Sequence, residues 1–226
     1  MSGAARRVVL LHGLWVNGLT MQWFAARLRA AGYTPEIFGY HSIVAGPDNA
    51  VPRLAALLRA GGATDIVAHS LGGLIALEAL ATEPDLPINR VVCLGVPLSG
   101  SGAASGLTRW PLATLWLGRS AELLQRGCAP WPSRVQVGMI AGSLPHGLGA
   151  LVMHFGAAND GTVSVEETRS PALADHAVIA ASHSGLLFSS EAAALAIDFL
   201  REGRFSHVEP GVTSDRDDVE GPKASD

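Results

Sequence analysis

Charge is scarce in this sequence. Only 16% of its 226 residues are Asp, Glu, Lys or Arg, and the formal net charge is −4. Arg6-Arg7 is the sole adjacent basic pair and no basic stripe exists, so a nucleic-acid partner is not expected. Cysteine is nearly absent. Cys93 and Cys128 cannot make a framework of disulfides, and Cys93, inside an apolar run, reads as a small buried hydrophobe. A reducing, cytoplasmic compartment is the expectation. Long hydrophobic runs are missing too: none approaches the roughly 18 residues that span a bilayer. The first run is broken by His12-Gly13, too soon for the apolar core of a signal peptide. No stable membrane insertion is therefore expected. Gly13 and Gly18 do not make a phosphate- or dinucleotide-binding loop. His146, His154 and His176 show no metal-ligand spacing with carboxylates or cysteines. Cofactors and metals are thus expected to be none, and composition leaves the oligomeric state open.

What is present is apolar bulk in alternating pieces. Apolar residues make up 48% of the chain, enough to fill one sizeable core. Arg6 to Leu11, Tyr33 to Tyr40, "TDIVAHS" from Thr64, Ile88 to Pro97, Val135 to Gly142 and His176 to Ser182 read as six short strands. Helical patterns lie between and after them: Thr20 to Ala31 before Gly32, Pro47 to Gly61-Gly62, Leu71 to Ala81, and Glu191 to Arg201. Alternation of this kind predicts an α/β fold of one domain, a mostly parallel sheet with helices on both faces and right-handed crossovers. The alternation breaks at 98–134, which reads as a helical insert or cap. From Gly203 the chain turns polar and acidic, and 203–226 is expected to be a largely disordered tail. The globular part is then 1–202.

In such sheets function collects at the carboxyl ends of the strands. Three ends carry chemistry. Ser70 follows the third strand in "AHSLGG", with small residues two before and two after it. That spacing lets a strand turn sharply into a helix with a serine exposed at the turn; the plain alternative is a serine N-cap. His12-Gly13-Leu14 follows the first strand, and the backbone N–H groups of Leu14 and Leu71 are the natural pair of donors for a developing oxyanion. The His12 side chain is expected to hold the loop by a hydrogen bond. Late in the chain come Asp160 in "NDGTVS" and His183 in "SHSGLL". A serine hydroxyl needs a base to become a nucleophile, histidine has a suitable pKa, and a carboxylate fixes its tautomer.

Together "LLHGLW", "AHSLGGL", "LGVPLSGS", "NDGTVS" and "SHSGLLFS" resemble, in order and from about Arg6 to Leu200, the α/β-hydrolase fold serine hydrolases of the small lipase and esterase type. Ala68 stands where the usual turn has glycine. The resemblance implies Ser70 as nucleophile, His183 as general base and acid, Asp160 as its orienting carboxylate, and Leu14 and Leu71 as backbone oxyanion donors. It also implies a minimal sheet without the leading strands of larger members. The implied reaction is hydrolysis of a small-molecule ester with an apolar acyl group through an acyl-enzyme. Acyl transfer or thioester hydrolysis are the alternatives, an amidase or a non-catalytic binding module lesser ones.

The insert carries Trp110, Leu112, Leu115, Trp116 and further leucines, which either pack on the sheet or line an acyl pocket. Trp15, Leu98, Trp110 and Trp116 are the expected substrate contacts, while Trp23 is expected in the core. Asp65 and Asp175 stand at the amino ends of strands, facing away from any site. His69 is expected to point elsewhere and pack, His41 to sit in a loop, and Glu166-Glu167 to begin a solvated helix.

Overall fold

The computed structural model describes residues 6–14, 18–42, 46–100, 118–145 and 158–206. Six strands form one sheet: β1 (Arg7–Leu11), β2 (Thr34–Phe38), β3 (Thr64–His69), β4 (Ile88–Leu94), β5 (Gln136–Gly142) and β6 (Asp175–Ile179). Their spatial order is β2-β1-β3-β4-β5-β6 and every pairing is parallel. The chain first steps outward from β1 to β2, then returns past β1 and builds the other way. The reversal opens a crevice beyond the carboxyl ends of β1 and β3.

The five α-helices among the described residues are α1 (Gln22–Ala30), α2 (Gly46–Gly61), α3 (Leu71–Thr82), α4 (Ala121–Arg126) and α5 (Ser190–Glu202). Strand residues alternate between two cores, because successive side chains point to opposite faces. Val9, Leu11, Ile66, Ala68, Val91 and Cys93 pack with α2, α3 and α4. Val8, Leu10, Val67, Val92, Leu94 and Ile140 pack with α1 and α5. The near-continuous apolar composition of β3 follows from burial on both faces: all six of its residues are buried. Helix α3 is apolar almost all round, because α2 and α4 cover the face turned from the sheet.

Pro52 lies inside α2. A proline there removes one helical hydrogen bond, yet Leu54, Ala55 and Leu58 are buried beyond it. Within the expected insert, Gly118–Ser120 forms a 3-10 turn leading into α4; residues 101–117 lie outside the described residues. The acidic tail starts with anchored residues. Gly203 closes α5 in a left-handed conformation, and Phe205 is buried against Phe199 at a ring separation of 5.0 Å. Residues 207–226 lie outside the described part.

Candidate active site

β3 ends at His69 and α3 begins at Leu71, so the chain reverses on Ser70 alone. Ser70 has φ 52° and ψ −126° and is the single non-glycine residue with positive φ among those described. Such a conformation costs about 1–3 kcal/mol and persists only where its surroundings enforce it. They do: the Ser70 N–H donates to the Leu94 carbonyl at 2.9 Å, and the Gly73 N–H donates to the Ser70 carbonyl at 2.9 Å. Its side chain makes no capping hydrogen bond to α3, so the N-cap reading fails. A Cβ on Gly72 would lie 2.5 Å from the His12 carbonyl oxygen, which explains the small residue after the serine. Ala68, the residue in place of the usual glycine, sits in register between Leu11 and Cys93, fully buried.

His183 and Asp160 come together across the β5–β6 side of the same sheet end. His183 Nδ1 lies 2.7 Å from Asp160 Oδ2. A carboxylate accepts, so Nδ1 carries the proton and Nε2 keeps a lone pair for base chemistry. The other Asp160 oxygen accepts from the Thr162 and Val163 N–H groups at 2.9 and 2.7 Å. The His183 N–H in turn donates to the Asp160 carbonyl at 2.8 Å. Asp160 is fully buried, and the His183 side chain is 12% exposed. Gly95, just past β4, makes room for the pair: a Cβ there would sit 3.1 Å from Asp160 Oδ2 and 3.2 Å from His183 Nδ1.

The carboxylate loop is braced by a residue expected in solvent. The Ser164 N–H donates to Glu167 Oε2 at 2.7 Å and the Glu167 N–H donates back to Ser164 Oγ at 3.2 Å, a reciprocal cap. The Glu167 carbonyl accepts from the Ser99 N–H at 3.2 Å, which ties this loop to the chain after β4. Glu166–Thr168 is a single 3-10 turn, so Glu167 is a brace and not part of a solvated helix.

Beside Ser70 runs the His12-Gly13-Leu14 loop; a Cβ on Gly13 would come 3.0 Å from Ser70 Cβ. The His12 ring stacks on Tyr40 with centroids 4.3 Å apart and planes 9° from parallel. His12 Nδ1 donates to the Gly13 carbonyl at 2.9 Å, as expected of a loop-holding histidine. Burial lowers its pKa. Tyr40 donates its hydroxyl to the His12 carbonyl at 2.6 Å, and burial drives its own pKa upward. The His12 and Gly13 carbonyls are thereby occupied by donors. Leu71 opens α3, where first-turn N–H groups have no intrahelical acceptor. Nothing in the sequence separation of His12 and Tyr40 announces their stack; it follows from β1 and β2 being neighbours.

His69 departs from expectation. Its ring turns toward His183, with centroids 4.6 Å apart, and its Nε2 lies 2.9 Å from the His183 carbonyl oxygen. Desolvation, followed by the positive potential of His183, pushes its pKa down to about 3. Asp65 lies at the opposite sheet end, buried, 2.7 Å from Arg6 Nη2, and Asp175 accepts from the Phe205 N–H. Neither approaches the serine. His41 is exposed. Trp23 is half-buried, edge-on to Phe24 and Phe188. Leu98 is 4% exposed and packs in the core on the α3 side. Trp15, Trp110, Trp116, His146 and His154 lie outside the described residues. No group of His, Cys, Asp and Glu suited to a metal occurs among those described, nor is any described helix long and apolar enough to cross a membrane.

A parallel six-stranded sheet, a serine on the turn after β3 and a histidine–aspartate pair after β6 and β5 define the α/β-hydrolase fold, and the chain has that fold. Solved structures agree. The mature form of lipase BlEst2 from Bacillus licheniformis matches with a TM-score of 0.72 and 22% identity, over 88% of this chain and 92% of that one. The metagenomic carboxyl esterase MGS0156 matches with a TM-score of 0.60 and 21% identity, over 81% of this chain and 66% of that one. The methylesterase MES16 from Arabidopsis gives 0.56 and 15%, over 88% and 98% of the two chains. No family model and no curated protein matches the sequence.

Proposed function

We propose that the protein is a serine hydrolase that cleaves a carboxylic ester with an apolar acyl group. Ser70 Oγ attacks the carbonyl carbon while His183 Nε2 takes its proton. Asp160 holds the Nδ1–H tautomer and stabilises the imidazolium. The Leu14 and Leu71 N–H groups receive the oxyanion, assisted by the positive end of α3. Collapse of the tetrahedral species expels the alcohol, which takes the proton from His183. Water, deprotonated by the same nitrogen, then releases the acid from Ser70.

One observation carries the reading. Ser70 is held at φ 52° without capping a helix, at the same sheet end as a histidine whose Nδ1 is committed to a buried carboxylate. Strain at a residue with no structural duty points to a functional one. The names of the similar structures, a lipase, a carboxyl esterase and a methylesterase, favour an ester as substrate.

Ser70→Ala tests it. Turnover of p-nitrophenyl esters is expected to fall by about 10⁴-fold or more, with circular dichroism and thermal midpoint unchanged. Activity in Ser70→Ala within tenfold of the unaltered protein would sink the assignment.

A further inference from the structure

Among the buried titratable groups that the mechanism above leaves unused, one adjoins the serine. His69 is the last residue of β3 and is 4% exposed. Its Nε2 lies 2.9 Å from the His183 carbonyl oxygen. A carbonyl only accepts, so Nε2 carries the proton and Nδ1 presents a bare lone pair. That Nδ1 is buried and has no hydrogen-bond partner among the described residues. Burying an acceptor unpaired is unfavourable, and a leucine or phenylalanine would fill similar space without it. The chain keeps a histidine, immediately before the serine.

We propose that His69 is a positioning residue for His183. Asp160 fixes the His183 ring at Nδ1 and its main chain at N–H. The His183 carbonyl is the remaining handle, and His69 holds it. With both peptide groups flanking Cα anchored, the ring can swing only about its own side-chain bonds, and Asp160 limits that. The attachment reaches the serine as well, because His69 and Ser70 are consecutive. Any shift of the turn moves base and nucleophile together.

The chemistry of the donor matters as much as its place. During acylation His183 becomes an imidazolium. An arginine or lysine at position 69 could donate to the same carbonyl, but it would set a positive charge beside the ring that must acquire one. Among the described residues the charged or titratable groups acting on His69 are His183 and, more weakly, His12; no carboxylate is among them to draw a second proton onto the ring. His69 thus donates a hydrogen bond while staying neutral. Gly13 completes the arrangement: a Cβ there would fall 2.9 Å from His69 Nδ1. The glycine of the loop after β1 is thereby matched to the histidine before the serine.

The proposal rests on Ser70 and His183 acting together. It is tested with His69→Phe, which removes the donor, and His69→Gln, whose amide can still reach the carbonyl. Steady-state kinetics on a p-nitrophenyl ester are measured across pH, alongside thermal unfolding. In His69→Phe, kcat is expected to fall about 10- to 100-fold with KM within about twofold, and the acidic limb of the kcat/KM profile to shift. His69→Gln is expected to recover most of kcat and the original limb. A merely structural role would lower thermal stability in both variants without separating kcat from KM or moving the limb. The proposal is overturned if His69→Phe turns over as fast as the unaltered protein, or if His69→Gln is as slow as His69→Phe. Should His69→Phe not fold, His69→Gln decides alone: near-normal kcat and pH profile support the donor role and a loss of tenfold or more refutes it. Failure of the hydrolase reading is distinguishable, because it appears as activity retained in Ser70→Ala.

Discussion

The two ends of the sheet treat buried polar groups in opposite ways. At the amino end, Asp65 is fully buried in β3 and meets Arg6 at 2.7 Å. Burial outweighs that partner and raises its pKa. The arginines around it are spent on main-chain carbonyls: Arg6 and Arg90 on Leu200, Arg201 on Ala31, Arg134 on Ile88. These carbonyls close the ends of α5 and α1 and the turn into β4, where cations are favourable. At the carboxyl end, Asp160 is equally buried, but backbone N–H groups and His183 hold it. Among the described residues no arginine or lysine pairs with it. One end uses arginines to close helices. The other uses backbone dipoles to hold an aspartate against a histidine, and carries the strained serine. Two aspartates of equal burial therefore have different work, and the difference lies in what donates to them.

That contrast can be broken from either side. The largest effect is expected at the carboxyl end. Asp160→Asn keeps the shape but can place a donor toward Nδ1, favouring the wrong tautomer; kcat on a p-nitrophenyl ester should drop about 10³- to 10⁴-fold with little change in KM. Next comes Tyr40→Phe, which frees the His12 carbonyl while leaving the ring stack. A fall in kcat of about 3- to 10-fold with unchanged KM would mark a loosened oxyanion loop, and an unchanged kcat would show that the stack alone holds it. Asp65→Asn at the amino end should leave kcat and KM within about twofold, and alter stability by about 1 kcal/mol or less, since its Arg6 partner is partly solvated.

A last prediction concerns pH. His69 titrates near 6.5 when unfolded and is pushed to about 3 in the fold. As pH falls through 6.5 the unfolded chain takes up a proton that the folded chain refuses, so stability is lost between about 6.5 and 3. Burial lowers the pKa of His12 and His176 as well, with the same sign, while Asp65 runs the other way. Denaturant midpoints should fall from pH 7 to pH 5, and His69→Gln should flatten that fall.

The six strands and the helices between them are legible in the sequence because periodicity and glycine stops are local signals. The turn at Ser70 is legible for the same reason: small residues at fixed offsets say that a chain must bend. Asp160 and His183 are legible from the ends of strands they follow. The Tyr40 stack, the Glu167 brace and the direction of the His69 ring are not. Each joins segments whose adjacency is set by the order β2-β1-β3-β4-β5-β6, and no spacing along the chain encodes it. Phe205 illustrates the converse: a polar, acidic segment hides an aromatic anchor that composition averages away.

The central claim, that the strained serine after β3 is the nucleophile, is tested most directly by reacting the protein with a fluorophosphonate and locating the adduct by peptide mass spectrometry. A single adduct on Ser70, lost in Ser70→Ala and slowed in Asp160→Asn, is the result expected here. An adduct on another residue, or none from a protein that still hydrolyses esters, would contradict it.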